Sequence, residues 1–155
     1  MNESDLQVKV ADYLRLRYKG VLFHSDFGSG VKLTIGQAAK QKRQNGGRRA
    51  WPDMFIAAPR MVKISGNSAG VFNLWGSDGD SVRSAHGLFL ELKKEGTRLV
   101  KKSDGAWATD HIAEQAHILE SLRKEGYVAE FAIGFDQAKK LIDHYLGGLD
   151  GKVSS

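Results

Sequence analysis

The stretch of sequence that decides the fold is Gly87-Leu88-Phe89-Leu90-Glu91-Leu92-Lys93. Its leucines and phenylalanine predict a strand in the interior, where a charge without a partner costs free energy. Because side chains alternate across a strand, Glu91 and Lys93 share one face and Leu92 points to the other. An acid and a base at the end of a buried strand need a reason to be there. Metal binding together with stabilisation of a phosphate supplies one.

A second carboxylate stands in Trp51-Pro52-Asp53, directly before the apolar run 54–58. Proline is tolerated at the first residue of a strand, so Asp53 is predicted to open one. If that strand pairs with the Glu91 strand, two carboxylates converge at one end of the sheet. Such hard oxygen ligands describe a magnesium site, to which the backbone carbonyl of Leu92 would add an oxygen. The ion would lower the pKa of bound water, and Lys93 would hold that water or the phosphate.

Each fragment taken alone also has a structural explanation. Pro-Asp is a common start of a turn, and Glu91 with Lys93 would form an ion pair on a half-exposed strand. The order of Asp53 followed by Glu91-Leu92-Lys93, each joined to an apolar strand, favours a functional site over these alternatives.

At these residues the chain resembles the PD-(D/E)XK nuclease superfamily, and within it the virus-type replication-repair nuclease (VRR-NUC) domain. The similarity covers most of the chain. In order, it runs through an opening helix with Glu3 and Gln7, Trp51-Pro52-Asp53, Leu90-Glu91-Leu92-Lys93, Glu114-Gln115 in a helix ending at Gly126-Tyr127, and residues 134–142. The usual glycine before Trp-Pro-Asp is Ala50 here, and an insertion, about 60–86, separates the two acidic strands. The insertion leaves substrate preference more open than chemistry.

The resemblance implies a restriction-endonuclease-like α/β fold, in which a mixed central β-sheet is flanked by helices and carries an inserted β-hairpin. It implies that Asp53 and Glu91 ligate the divalent ion, Mg²⁺ with Mn²⁺ as a substitute. It makes Lys93 the catalytic lysine, Gln115 a residue that supports the site, and Glu3 a further acid. The implied activity is that of an endonuclease on branched or flapped DNA, as in junction resolution during phage or bacterial replication and repair. A homodimer would suit two symmetric cuts in a four-way junction.

The net charge of +5 and the pI near 9.5 favour polyanionic partners. The basic residues cluster beside both proposed metal ligands. They are Lys40, Lys42, Arg43, Arg48 and Arg49 before Asp53, and Lys94, Arg98, Lys101 and Lys102 after Glu91. There they would hold phosphates close to the ion through a salt-sensitive attraction. A solvated basic surface is the alternative, and the position beside both motifs favours DNA.

The 155 residues predict one domain, 1–148, with the insertion at 60–86 and a disordered tail at 149–155. No apolar run approaches the length of a membrane span, and the first residues lack the features of a signal peptide. The absence of cysteine excludes disulfides and thiolate zinc sites. We therefore expect no membrane partner and a cytoplasmic location, in a bacterial or phage-infected host cell.

Patterns of apolar residues and caps predict the remaining elements. Helices are predicted at 4–19, at 36–44, from Thr109 or Asp110 to 125, and after a cap at Asp136. Strands are predicted at 21–24, after Asp53, in a hairpin of 61–64 with 71–75, at 87–93 and at 127–133. Residues 76–84 are predicted to be a polar loop, and 95–108 a flexible flap over DNA.

Two glutamines allow two interpretations each. Gln7 lies on the core side of the first helix and would either line the site or complete a capping box with Ser4. Gln115 lies at the margin of the inward stripe of its helix. It is either an ordinary residue at the edge of the core or, as the resemblance implies, a residue that supports the site, where metal-bound water or a ligand carboxylate would be its partner.

Two rival functions remain open. The first is a less selective metal-dependent nuclease, an exonuclease or a restriction-like enzyme. The second is a basic DNA-binding module that keeps the fold without catalysis.

Overall fold

The computed structural model describes residues 1–26, 32–48, 50–63 and 82–147, which form four helices and six strands. In chain order these are α1 (Glu3–Arg17), β1 (Phe23–Ser25), α2 (Ile35–Gln44), β2 (Met54–Ile56), β3 (Arg60–Lys63), β4 (Val82–Ala85), β5 (Leu88–Lys93), α3 (Asp110–Lys124), β6 (Val128–Ile133) and α4 (Gly134–Gly147). None of these helices combines the length and the apolar character that crossing a bilayer requires.

The central sheet has the strand order β1-β2-β5-β6. Strand β2 is antiparallel to both β1 and β5, whereas β5 and β6 are parallel. A parallel pair needs a crossover connection, and α3 supplies it. The predicted fold class, a mixed sheet flanked by helices, is therefore confirmed.

The two faces of the sheet pack against different helices. Leu88, Leu90 and Leu92 point into a core with residues of α1 and α4. Phe89 points to the other face, beside a smaller core that contains Leu119 of α3. Because side chains alternate, Glu91 and Lys93 lie on the α3 side of the sheet with Phe89.

Two glycines allow the chain to pass close to its neighbours around β5. A Cβ on Gly87 would lie 2.8 Å from the carbonyl oxygen of Ile56, so no side chain fits where β5 begins beside β2. Gly126 follows α3 with φ of 95°, and a Cβ there would lie 2.6 Å from the ring of His86. Glycine adopts this left-handed conformation without strain, which explains why α3 ends as predicted.

Two predicted helix starts are wrong. α1 begins at Glu3 because Asn2 is its cap: the Asn2 side chain accepts a hydrogen bond from the amide of Asp5 at 2.8 Å. The capping box of Ser4 with Gln7 is therefore absent. α4 begins at Gly134, so Asp136 lies within its first turn and does not cap it.

The inserted hairpin is paired differently from the prediction. β3 pairs with β4, so residues 82–84, predicted to lie in a polar loop, belong to a strand. The pattern was not visible in the sequence because Ala85 is the only buried residue of β4. The predicted partner strand, 71–75, lies outside the described residues, as do the tip of the hairpin and the tail at 149–155. The division of the chain into one domain and a tail stays a prediction.

Candidate active site

Asp53 and Glu91 lie side by side where β2 begins and β5 ends. The antiparallel register pairs Met54 with Leu90, and one residue further Asp53 comes opposite Glu91. The amide of Leu92 donates a hydrogen bond to Oδ2 of Asp53 at 2.8 Å. The Asp53 carboxylate therefore continues the hydrogen-bond ladder beyond the last backbone pair, which fixes its position.

Glu91 is held by two neighbours through one of its oxygens. Its side chain is 3% exposed. Oε1 accepts a hydrogen bond from Nε2 of Gln115 at 2.5 Å and lies 3.2 Å from Nζ of Lys93. Oε2 is buried and has no hydrogen-bond partner within the described part of the chain, and the same is true of Oε1 of Gln115. A buried carboxylate oxygen without a donor is costly, so the site is suited to a cation or a proton.

The pKa values of Asp53 and Glu91 are both raised, which also indicates a site suited to a cation or a proton. The pKa of Glu91 is raised to about 8, chiefly by burial and next by the nearby charge of Asp53, against the opposing effect of Lys93. Burial also raises the pKa of Asp53, while the Leu92 amide and Lys93 oppose the rise. A further positive charge near these two carboxyl groups would favour their ionised forms.

All five side chains predicted for the site line one cleft of about 1080 Å³, namely Glu3, Asp53, Glu91, Lys93 and Gln115. The charge of Glu3 contributes to the raised pKa of Asp53. Leu92 contributes no side chain to the cleft, because that side chain is buried in the core. The amide of Leu92 donates a hydrogen bond to Asp53, and the role of the Leu92 carbonyl as a metal ligand stays a prediction.

The donor set fits a hard divalent cation in its chemistry. Two carboxylates meet, and Oε2 of Glu91 has no competing donor. Mg²⁺ is typically held by one or two carboxylates, with water and substrate oxygens completing the shell. No three His, Cys, Asp or Glu side chains in the described ranges form a group that could hold a metal ion by themselves. An ion held by Asp53 and Glu91 would therefore need further oxygens from outside such a group, for example from water or substrate.

The predicted DNA-binding residues divide into two groups. Lys42, Arg48 and Lys94 line the cleft. The other described members are exposed outside it, namely Lys40, Arg43, Arg98, Lys101 and Lys102. Arg49 lies outside the described residues. Three of the predicted cations therefore line the cleft that contains the carboxylates, and five do not.

Gln7 supports the backbone beneath Asp53. It is 8% exposed, and its Nε2 donates to the carbonyl of Asp26 at 2.6 Å and to that of Asp53 at 3.3 Å. The amide of Asp26 in turn donates to the carbonyl of Asp53 at 2.7 Å. Asp26 also lines the cleft and was missed from the sequence. The available signal was its position, a carboxylate just after a short predicted strand.

A solved structure described as "VRR_NUC domain protein" is similar to this chain over nearly the full length of both. The match covers 100% of this chain and 98% of the other, with 26% sequence identity and a TM-score of 0.56. No protein-family model and no curated protein matches the chain. The structural comparison confirms the resemblance to a VRR-NUC domain seen in the sequence motifs.

Proposed function

We propose that this chain, which is similar in sequence and fold to a VRR-NUC domain, is a metal-dependent nuclease that hydrolyses phosphodiester bonds in DNA. Asp53 and Glu91 would hold the ion, Mg²⁺ or Mn²⁺, with Glu3 and the Leu92 carbonyl as further oxygen donors. The observation that carries the proposal is the pairing of the half-buried Asp53 with the buried Glu91, whose Oε2 faces no donor among the described residues.

The chain's own residues hold these acids and supply positive charge. The Leu92 amide orients Asp53, and Gln115 orients Glu91 from α3. Lys93, at 3.2 Å from Glu91, offers donors to the attacking water or to the negative charge that builds on the phosphate. A bound divalent ion would act as a Lewis acid at the scissile phosphate.

The preferred substrate of the proposed enzyme is branched or flapped DNA. The resemblance to VRR-NUC proteins supports this choice, and so do the three cations of the cleft, which suit a phosphate backbone. A biological role in phage or bacterial replication and repair is part of the same proposal. A less selective nuclease and a DNA-binding module without catalysis are the alternatives.

Edge-to-edge pairing of β6 is an unfavourable route to a homodimer that cuts a junction symmetrically. β6 is an outer strand of the described sheet. Nε of Arg123 donates to the carbonyl of Ala129 at 2.8 Å, and the side chain of Gln137 accepts from the amide of Ile133 at 2.6 Å. Side chains that occupy edge groups in this way discourage strand pairing. The mass of the protein in solution tests the homodimer.

The activity is tested by incubating the protein with end-labelled four-way, flapped, linear duplex and single-stranded DNA, each with Mg²⁺, Mn²⁺ or EDTA. Metal-dependent cutting confined to the branched and flapped substrates is the expected result. Cutting of every substrate would support the less selective nuclease. Binding without cutting in either metal would support the DNA-binding module and contradict the proposed catalysis.

A further inference from the structure

An exposed indole stands beside the proposed catalytic acids. Trp51 lies two residues before Asp53, lines the same cleft, and is 37% exposed. Its Nε1 donates to the carbonyl of Asn45 at 3.4 Å, at the end of α2. This hydrogen bond holds the N–H edge of the Trp51 ring against α2, while part of the ring surface lines the cleft.

The ring of Trp51 lies against a group of other aromatic rings. Its ring centroid lies 6.2 Å from that of Phe89. Phe89 stacks on Phe55 at 4.4 Å and meets Tyr127 edge-on at 5.1 Å. Aromatic rings packed in this way have little freedom, so the indole is held in place before any ligand arrives. A surface fixed in advance loses little entropy when a ligand binds.

The surroundings of the indole combine apolar surface with positive charge. Ile35 and Ala38 of α2 line the cleft, and Ile35 is 92% exposed. Lys42, Arg48 and Lys94 line the same cleft. Proteins bind single-stranded nucleic acid with cations that contact its phosphate backbone and with aromatic rings on which its bases stack. A base within a duplex has both faces covered by its neighbours and offers none to an indole.

We propose that Trp51 is a stacking platform for an unpaired nucleobase next to the phosphate that the ion at Asp53 and Glu91 would hold, so that the cleft binds single-stranded DNA, such as the arm of a flap, in preference to duplex. The proposal rests on the proposed function and adds the class of DNA that enters the cleft. It identifies Trp51 as a residue that determines specificity, since the ring contacts the base and takes no part in the chemistry.

Two substitutions at Trp51 separate stacking from the hydrogen bond. Trp51→Phe and Trp51→Leu both remove the bond to Asn45, but only phenylalanine keeps an aromatic face. The affinity of each variant is measured in EDTA, by fluorescence anisotropy, for a labelled single strand of about 12 nucleotides and for the blunt duplex of the same sequence. Trp51→Leu should weaken single-strand binding about tenfold, and Trp51→Phe should keep most of it. Duplex binding should be the same in all three proteins.

The proposal would be overturned if Trp51→Leu lowered the affinities for single strand and duplex equally, or if it left the single-strand affinity unchanged. A wild-type protein that does not bind the single strand more tightly than the duplex would overturn it as well. Should Trp51→Leu fail to fold, the double variant Trp75→Phe, Trp107→Phe leaves Trp51 as the only indole. Oligothymidine should quench its fluorescence in EDTA, and the absence of quenching would equally overturn the proposal. Because no metal or turnover is involved, this failure is distinct from a failure to cut DNA.

Discussion

The amide of Leu92 donates to Oδ2 of Asp53 at 2.8 Å, so a side chain takes over from the backbone at the end of the β2–β5 ladder. The same contact places Asp53, which directly precedes β2, next to Glu91, which lies within β5. The position of the first acid therefore depends on the register of two buried strands. Rigid strands hold a site more accurately than loops do.

Removing either acidic charge should stop the reaction. We expect Asp53→Asn and Glu91→Gln each to lower the rate of DNA cutting by at least about 100-fold, the cost of losing a charge that acts in the transition state. Both amides keep an oxygen acceptor and similar volume, so the thermal midpoint should not fall. Asp136→Asn changes an exposed acid outside the cleft and serves as the control. A variant at Asp53 or Glu91 with the wild-type rate would show that its acid is not needed.

Gln115 should act through Glu91. Gln115→Leu keeps the volume but removes the hydrogen bond to Oε1, and bonds to charged groups contribute enough that we expect about a tenfold loss of kcat. The affinity for DNA in EDTA should not change, since Gln115 is predicted to position a ligand and not to hold the substrate. Gln44→Leu, at an exposed glutamine outside the cleft, is the control. A loss of DNA affinity with unchanged kcat would contradict the positioning role.

The metal-free protein should lose stability as the pH rises. The pKa of Glu91 is raised from 4.5 to about 8, so the folded state binds the proton more tightly than the unfolded chain does. The stability that this proton contributes is present below pH 4.5 and declines as the pH rises toward about 8. The raised pKa of Asp53 acts in the same direction. Melting in EDTA should show Glu91→Gln as stable as wild type near pH 4.5 and more stable at pH 8. Parallel curves for the two proteins would contradict the raised pKa.

The cations in the cleft should contribute to the salt dependence of DNA binding. Lys42→Ala should lower the slope of log affinity against log salt by about one, since one phosphate contact is lost. Lys140→Ala removes an equally exposed lysine from α4, outside the cleft, and should leave the slope unchanged. Equal effects of the two variants would indicate general attraction to a basic surface, with no preferred path through the cleft.

The sequence predicts that Asp53 and Glu91 meet if their two strands pair, because each adjoins a run of apolar residues long enough to be recognised as a strand. Patterns with weak burial were less informative. α2 has no buried residue, so its cleft-lining face resembles any polar helix. β4 buries only Ala85, so its exposed residues 82–84 have the pattern of a polar loop.

Contacts that depend on the tertiary structure were outside the reach of sequence patterns. Gln7 has the spacing of a capping box with Ser4. Because Asn2 caps the helix instead, the side chain of Gln7 donates to the carbonyls of Asp26 and Asp53. Trp51 belongs to the Trp-Pro-Asp motif, but its exposure beside the acids depends on how α2 and the ring of Phe89 pack around it. Neither follows from periodicity or composition.

The most direct measurement is the anomalous diffraction of a crystal soaked in Mn²⁺. The account predicts a peak between the carboxylates of Asp53 and Glu91, about 2 Å from an oxygen of each, and its loss in a soaked crystal of Glu91→Gln. A fully soaked crystal with no peak at these two side chains, or with the same peak in Glu91→Gln, would contradict the claim that they hold the ion.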